Sequence, residues 1–472
     1  MSSIGALQPR SRSAYSTFAA VVILVPLACI FLPNVVSNPK WLLAICVLIC
    51  APFFFLKTQW SAFAVISILN LHFYALGAHT VVYAALLLFI SGFISKRNGA
   101  AFFKSNPIRK YFILYLLSIL PSFSNTSDLA QSLFYSFNLI SVFLLFETLG
   151  GIIESRNQII SMAKAFLFWT VLNSFVVFWL ARFSHDRIFG FTGVVFVDFA
   201  CVAILILLSR FLFSIRKYSH IILFLISVVL SALFLTQTRN TLISLFLTLA
   251  VIFAYSCIFP ETLPFPRMVL IRRFLTISAV FVGVVGALFI VKPDSFKRHR
   301  ELVSTEKVQH SKPSMGAITN NTIGSRLLIW ITALNGFIKH PIIGIGAYSF
   351  GFDSNRYNFL PKFLFKTFVE GLSPHITYLA VLTETGIIGM VGFMILIFFS
   401  LRLSFASVGI SRTPEQKNIS AGILLAHIYI TFSMAFSDAW LWHQCAILWG
   451  FVLGISIANH NLLKTESESF GS

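Results

Sequence analysis

Long apolar segments recur along almost the whole chain, and few charged residues interrupt them. A hydrocarbon core of roughly 30 Å needs about 20 apolar residues in a helix, and these segments are long enough, or nearly so. We therefore predict that each is a transmembrane helix. The segments are 17–33, 41–57, 60–76, 79–95, 109–124, 131–153, 162–182, 192–214, 219–236, 240–258, 272–291, 376–401, 419–437 and 439–458.

The composition agrees with this interpretation. Of 472 residues, 57% are hydrophobic and 11% are charged, whereas about a quarter are charged in a soluble domain. The predicted fold class is an all-α polytopic membrane protein with about 12–14 transmembrane helices. Segment 17–33 could instead be a signal peptide, but the apolar segments directly after it favour a first transmembrane helix. Segment 60–95 could hold one span and a re-entrant piece instead of two short helices.

The distribution of charge predicts the orientation. A net charge of +19 could indicate a nucleic-acid partner, but the Lys and Arg residues lie mainly in short loops between predicted helices. Alternate loops such as 122–130 and 436–440 are nearly free of them. This is the pattern of the positive-inside rule, which places both termini in the cytoplasm. We predict a lipid bilayer as the environment and no nucleic-acid partner. The six cysteines lack metal-ligand spacing and predict no disulfide framework.

The predicted helices divide the chain into four parts. These are an N-terminal bundle of about eleven helices at 1–291, a large outer loop at 292–374, C-terminal transmembrane helices at 375–460 and a cytoplasmic tail at 461–472. The large loop is too long to be a bare connection and is expected to carry its own helices. It holds eleven Lys and Arg residues against five Asp and Glu, and this excess suggests an anionic partner.

Four ionisable residues on the predicted outer face form the candidate site. They are Arg187, Arg239, Arg326 and His375. Arginine presents a fixed fork of donors that matches phosphate oxygens, and neutral histidine can accept a proton near pH 7. The set suits a reaction in which a diphosphate departs while an acceptor hydroxyl loses its proton. For Arg187 and Arg239, the alternative is contact with lipid headgroups at a helix end.

The outer carboxylates show no paired spacing that would hold a divalent metal, so a metal-independent reaction is predicted. They are Asp186, Asp353, Glu370 and Asp438. Gly386 follows His375 by eleven residues, which returns it to nearly the same helix face. A glycine there would let another helix approach closely. Glu384 points to the opposite face, and we predict a buried carboxyl that is hydrogen-bonded between helices.

Two stretches resemble a known family. The segment SRLLIWITALNGFIKHPIIGIGAYSF, followed by PHITYLAVLTETGIIG, closely resembles the O-antigen ligase and polymerase superfamily of bacterial envelope enzymes. The residues that match its marks are Arg326, Trp330, His340, Pro341, Gly344, Gly346, His375 and Gly386. TQTRNTLISL resembles the family's arginine-bearing helix start and places Arg239. RIFGFTGVVFVDFA resembles the family's less distinctive arginine–glycine segment, in which the arginine corresponds to Arg187. The family's usual Asn-Pro-type continuation is absent.

The resemblance implies an inverting glycosyltransferase of the bacterial inner membrane that needs no cofactor. Such enzymes take a glycan from undecaprenyl diphosphate on the periplasmic face. They attach it to a lipid-linked glycan, to lipid A–core or, in some relatives, to protein, and polysaccharide-assembly proteins are further candidate partners. By position, His375 would activate the acceptor hydroxyl, and Arg239 and Arg326, with Arg187, would bind the diphosphate. Trp330 and the three motif glycines would support them.

The sequence leaves alternatives open. Polymerase is slightly favoured over O-antigen ligase, but nothing in the sequence fixes the acceptor. A transporter of the lipid-linked glycan is a different class of function. It would be expected to carry basic residues along a central path between inverted repeats, whereas here they gather on one face and no repeat is visible.

Overall fold

The computed structural model describes residues 106–183, 188, 195–213, 219–258, 267–293, 322–438 and 443–469. This part of the chain holds thirteen α-helices and no strand. The helices are α1 Arg109–Ile119, α2 Leu129–Ile152, α3 Arg156–Leu180, α4 Phe196–Phe213, α5 Ser219–Leu235, α6 Arg239–Ile258, α7 Arg267–Val291, α8 Thr322–Lys339, α9 Phe350–Asp353, α10 Lys362–Phe368, α11 Thr377–Ile410, α12 Pro414–Ser433 and α13 His443–Ser469.

Six of these helices are long and apolar enough to cross a membrane, over Leu129–Ile152, Arg156–Leu180, Phe196–Phe213, Ile271–Val291, Thr377–Ile410 and Cys445–Ser469. Two shorter apolar helices cover Ser219–Leu235 and Arg239–Ala254. Large apolar side chains on α7 face outward, such as Val282 and Ile290, which are 68% and 81% exposed. The all-α polytopic membrane fold is confirmed. The four predicted segments between 17 and 95 lie outside the described residues, so the total of about 12–14 helices remains a prediction.

Several helix boundaries differ from the predicted segments for local reasons. Helix α12 begins at Pro414, earlier than predicted, because Thr413 and Gln416 form a capping box. Segment 109–124 ends as a 3-10 helix at Leu120–Asn125. Helix α13 continues to Ser469, through most of the predicted tail, and Glu466 in this polar extension pairs with Arg156.

Contacts between neighbouring helices show which helix ends lie together at each of the two opposite ends of the bundle. At the first end, Arg156 and Gln416, near the starts of α3 and α12, both donate to Glu466 near the end of α13. Here too Arg109 pairs with Glu147, and we call this the basic end after Arg109, Arg156, Arg210, Arg273 and Arg412. At the other end, the backbone N–H of Thr377, which begins α11, donates to the carbonyl of Met434, after α12. We call this the site end.

The described part of the predicted large loop packs as a small unit of its own. Its apolar core consists of Ile329, Ala333, Ile345, Phe350, Tyr357, Phe365 and Val369, from α8, α9, α10 and their connections. Thr383 of α11 donates a hydrogen bond to the carbonyl of Ala333 in α8. The unit therefore rests on the first turns of α11, at the site end.

Candidate functional site

Helix α11 is interrupted at Gly386, where the backbone angles are φ 65° and ψ −166°. A loop from Pro341 to Gly346 replaces the helical hydrogen bonds that this break leaves unmade. The backbone N–H groups of Ile345 and Gly346 donate to the carbonyls of Thr383 and Glu384, both at 3.0 Å, and the N–H of Ile387 donates to Pro341 at 2.9 Å. The loop and the break therefore stabilise each other.

The close contact between the loop and the break in α11 requires glycine at the motif positions. Both Gly344 and Gly386 have positive φ, and a Cβ atom on either would lie 2.3 Å from backbone atoms of the facing segment. Gly346, with φ 122°, would place a Cβ atom 2.7 Å from the Cβ of Thr126. The sequence predicts that another helix packs closely against Gly386. In the structure the backbone of the loop at Ile342 packs there instead.

Glu384 holds the segment that leaves this loop. Its carboxylate is buried and accepts hydrogen bonds from the backbone N–H groups of Tyr348, at 3.0 Å, and Phe350, at 3.2 Å. A buried carboxylate without such partners would be costly. These partners are the backbone of Tyr348, in the connection before α9, and of Phe350, the first residue of α9. The contact orients Tyr348, which has positive φ.

His375 precedes α11 and makes a close contact with Asp438. Its Nδ1 lies 2.6 Å from Oδ2 of Asp438, and the Ser373 hydroxyl donates to the same oxygen. The side chain of Asp438 is 3% exposed and that of His375 is 36% exposed. Because Nδ1 is engaged, Nε2 is the ring nitrogen left for a substrate proton.

The loop that carries Asp438 is fixed from two sides. Thr377 donates from both its backbone N–H and its hydroxyl to the carbonyl of Ser437, at 3.1 and 2.8 Å. Asn240, in the first turn of α6, donates its side-chain amide to the carbonyl of Phe436 at 2.6 Å. Asn240 directly follows Arg239, so the start of α6 lies against this loop.

Helix α8 contributes Arg326 and Trp330, which are one turn apart on the same face. The indole N–H of Trp330 donates to the carbonyl of Pro374 at 2.8 Å, next to His375. Burial lowers the pKa of the Arg326 guanidinium from its ordinary value, and the negative charge of Asp438 opposes this shift. An arginine keeps its charge even so. A persistent positive charge therefore lies within electrostatic reach of the His375–Asp438 pair.

A buried network supports Asp438 from inside the bundle. Asp198 of α4 is 8% exposed and accepts hydrogen bonds from Tyr429 at 2.6 Å and Ser433 at 3.0 Å. The hydroxyls of Ser433 and Ser437 lie 3.2 Å apart. This chain of polar groups leads from α4 to the residue before Asp438. Sequence reasoning missed it, because Asp198 lies within an apolar run.

The structure brings most of the predicted site residues together at the site end. His375, Arg326 and Trp330 lie around Asp438, and Arg239 begins the helix that contacts the same loop. Gly344, Gly346 and Gly386 form the backbone support next to them. Arg187 lies outside the described residues, so its place in the site stays a prediction. Asp438 was not predicted as a partner of His375, although the predicted outer loop 436–440 contains no other carboxylate.

This geometry can support proton transfer beside an anion. A histidine held by a buried carboxylate can accept a proton through Nε2, and nearby guanidinium groups can bind a polyanionic group. Across the described ranges, no group of three or more His, Cys, Asp or Glu residues could hold a metal ion. Fold and site together define a polytopic membrane protein with a basic, histidine-centred polar site at one end of its bundle.

Comparison with known families agrees with this class. The family model described as O-Antigen ligase matches residues 221–394. This range includes Arg239, Arg326 and His375, and it ends before Asp438. The match confirms the resemblance to the O-antigen ligase and polymerase superfamily and supports a membrane glycan-transfer activity of that type. A search of the curated proteins found no match.

Proposed function

We propose that the protein is a membrane glycosyltransferase that moves a glycan from undecaprenyl diphosphate to an acceptor hydroxyl. The observation that carries this proposal is the contact of His375 with Asp438, at the end of the bundle where Arg326 and the start of α6 also lie. The family match supports a membrane glycan-transfer activity in general. The reaction takes place at the periplasmic face of the bacterial inner membrane.

In this proposal His375 is the general base. Its Nε2 accepts the proton of the acceptor hydroxyl while the hydroxyl oxygen forms a bond to the anomeric carbon. The bond from that carbon to the diphosphate oxygen breaks, and the electron pair leaves with the diphosphate. A single displacement of this kind inverts the anomeric configuration. The imidazolium that forms faces the buried carboxylate of Asp438, which stabilises its charge.

Arg239 and Arg326, with Arg187 as a third member, bind the diphosphate that leaves. Guanidinium forks match phosphate oxygens in geometry and neutralise the charge that develops on them. Because these cations supply the electrostatic stabilisation, the reaction needs no metal ion.

The charge difference between the two ends of the bundle supports the proposed orientation. Arginines at helix ends, such as Arg109, Arg156 and Arg412, gather at the basic end, away from His375. By the positive-inside rule this end faces the cytoplasm. The end of α13 is then cytoplasmic and the site end faces the periplasm, and in this proposal the N-terminus is cytoplasmic as well.

The acceptor decides which reaction the protein performs. We favour a polymerase, which transfers the growing chain to a lipid-linked repeat and would work beside other polysaccharide-assembly proteins. The alternative is a ligase that transfers the glycan to lipid A–core, and the family match does not distinguish the two reactions. A deletion strain separates the two reactions. Single-repeat surface glycans indicate a polymerase, and normal-length chains left on the lipid carrier indicate a ligase.

The decisive test of the proposal uses the purified protein with a lipid-linked donor and a defined acceptor. We expect a new glycosidic bond, free undecaprenyl diphosphate and inverted configuration at the transferred sugar. If the lipid-linked glycan crosses the bilayer without any glycosidic product, the protein is a transporter and the proposal is wrong.

A further inference from the structure

A second feature lies far from His375, in the half of the bundle that contains the basic end. A groove of about 110 Å³ runs between α3, α4, α12 and α13. Its walls are mostly apolar and include Phe166, Leu167, Val202, Ile423 and Phe451. On α4 the lining extends from Arg210 to Val202, about 12 Å at 1.5 Å per residue. The groove therefore fits within one leaflet of a hydrocarbon core of roughly 30 Å.

The polar lining of this groove offers positive charge and hydrogen-bond donors. Lys164 and Arg210 both line it, and neither has a hydrogen-bond or ion-pair partner among the residues that the structure describes. The side-chain oxygen of Asn418, Oδ1, accepts a hydrogen bond from the hydroxyl of Ser209. The side-chain N–H groups of Asn418 therefore remain available to donate to a ligand. No carboxylate lines the groove.

Three arginines at the same end are already engaged. Arg109 pairs with Glu147 and Arg156 pairs with Glu466, while Arg273 donates to backbone carbonyls at the end of α4. The two cations of the groove therefore stand apart from the ion pairs that stabilise the helix ends. Their position beside an apolar groove is the arrangement that binds an anionic lipid headgroup.

We propose that this groove binds an anionic glycerophospholipid of the adjoining leaflet. One acyl chain occupies the apolar part, and the phosphate contacts Lys164, Arg210 and the amide of Asn418. Long Lys and Arg side chains can reach a headgroup from within the bilayer while their stems remain in apolar surroundings. Phosphatidylcholine would fill the apolar part and also carries a phosphate, but its quaternary ammonium group is repelled by Lys164 and Arg210, so a lipid with net negative charge is favoured. This site is independent of the proposed glycan transfer, since it lies away from His375.

The test is a lipid-binding measurement on the purified full-length protein. Native mass spectrometry would compare phosphatidylglycerol with phosphatidylcholine carrying the same acyl chains. We expect the wild-type protein to prefer phosphatidylglycerol by roughly tenfold or more, and K164Q/R210Q to bind the two lipids about equally. The matched control is K110Q/R402Q. Lys110 and Arg402 are exposed cations at the same end that lie over the rings of Tyr111 and Phe399, outside the groove.

Several results would overturn the proposal. They are equal binding of both lipids by the wild-type protein, the same loss of preference in both double variants, or displacement of phosphatidylglycerol by equimolar undecaprenyl phosphate. Thermal melting establishes that each variant is folded. If K164Q/R210Q does not fold, A163F fills the groove from α3 while both cations remain. It should then abolish the bound phosphatidylglycerol, and retention of that lipid would also refute the site.

Discussion

Nδ1 of His375 lies 2.6 Å from the carboxylate of Asp438, which comes from the connection after α12. The other oxygen of this carboxylate, Oδ1, is buried and has no hydrogen-bond partner within the described part of the chain. The pair therefore joins a buried carboxylate, which can still accept a hydrogen bond at Oδ1, to an imidazole ring that is 36% exposed. Such a pair fixes the ring and leaves Nε2 for proton transfer.

For His375→Ala we expect turnover to fall by about 10²- to 10⁴-fold, the usual contribution of a general base. The protein should still insert and fold, because the ring is partly exposed at a helix start. Turnover of a lipid-linked donor and thermal melting measure the two effects. His220→Ala, an exposed histidine in the first turn of α5, is the control and should keep wild-type turnover. Wild-type turnover in His375→Ala would refute the general-base role.

Asp438→Asn should preserve the shape of the loop while it removes the charge that faces the ring. We expect kcat to fall roughly 10²-fold or more, because the imidazolium loses its stabilising partner and the tautomer is no longer fixed. KM should change little, since in the proposed mechanism Asp438 does not bind the substrate. Steady-state kinetics measure both parameters. A raised KM with unchanged kcat would mean that Asp438 serves substrate binding instead.

Much of the fold could be predicted from the sequence, because apolar length alone decides whether a helix can cross a bilayer. The apolar segments 131–153, 162–182 and 192–214 correspond closely to α2, α3 and α4. The link between His375 and Asp438 could not be predicted, since it depends on how α11 and α12 lie against each other. Likewise, the spacing of Gly386 from His375 predicted the close approach of another helix, whereas the structure places the loop at Ile342 against it.

For Arg239→Lys we expect a large loss of turnover, because a bidentate fork becomes a point charge at a site proposed to bind diphosphate. Fold and insertion should be unchanged, since the positive charge is kept. The assay is transfer from a lipid-linked donor, with Arg402→Lys at the basic end as the matched control. Equal activity of Arg239→Lys and the wild type would leave only the alternative of headgroup contact for this residue.

Removal of divalent metal ions should leave turnover unchanged. In the proposed reaction, arginines neutralise the diphosphate, and the described residues contain no metal-binding group of three or more His, Cys, Asp or Glu side chains. The measurement is product formation with and without EDTA, followed by addition of Mg²⁺ or Mn²⁺. A loss of activity that either ion restores would contradict the metal-independent mechanism.

Gly386→Ala tests the backbone contact that supports the site. Alanine would be forced into positive φ, and its Cβ atom would lie 2.3 Å from the carbonyl oxygen of Ile342. We expect at least about 2 kcal/mol of lost stability from the combined strain and overlap, seen as a lower melting temperature in detergent. Gly409→Ala is the matched control in the same helix, because a Cβ atom there meets nothing within 4 Å. It should leave stability unchanged or raise it by up to about 1 kcal/mol. Equal melting temperatures for the two variants would show that the loop from Pro341 to Gly346 can move away from α11 at no cost.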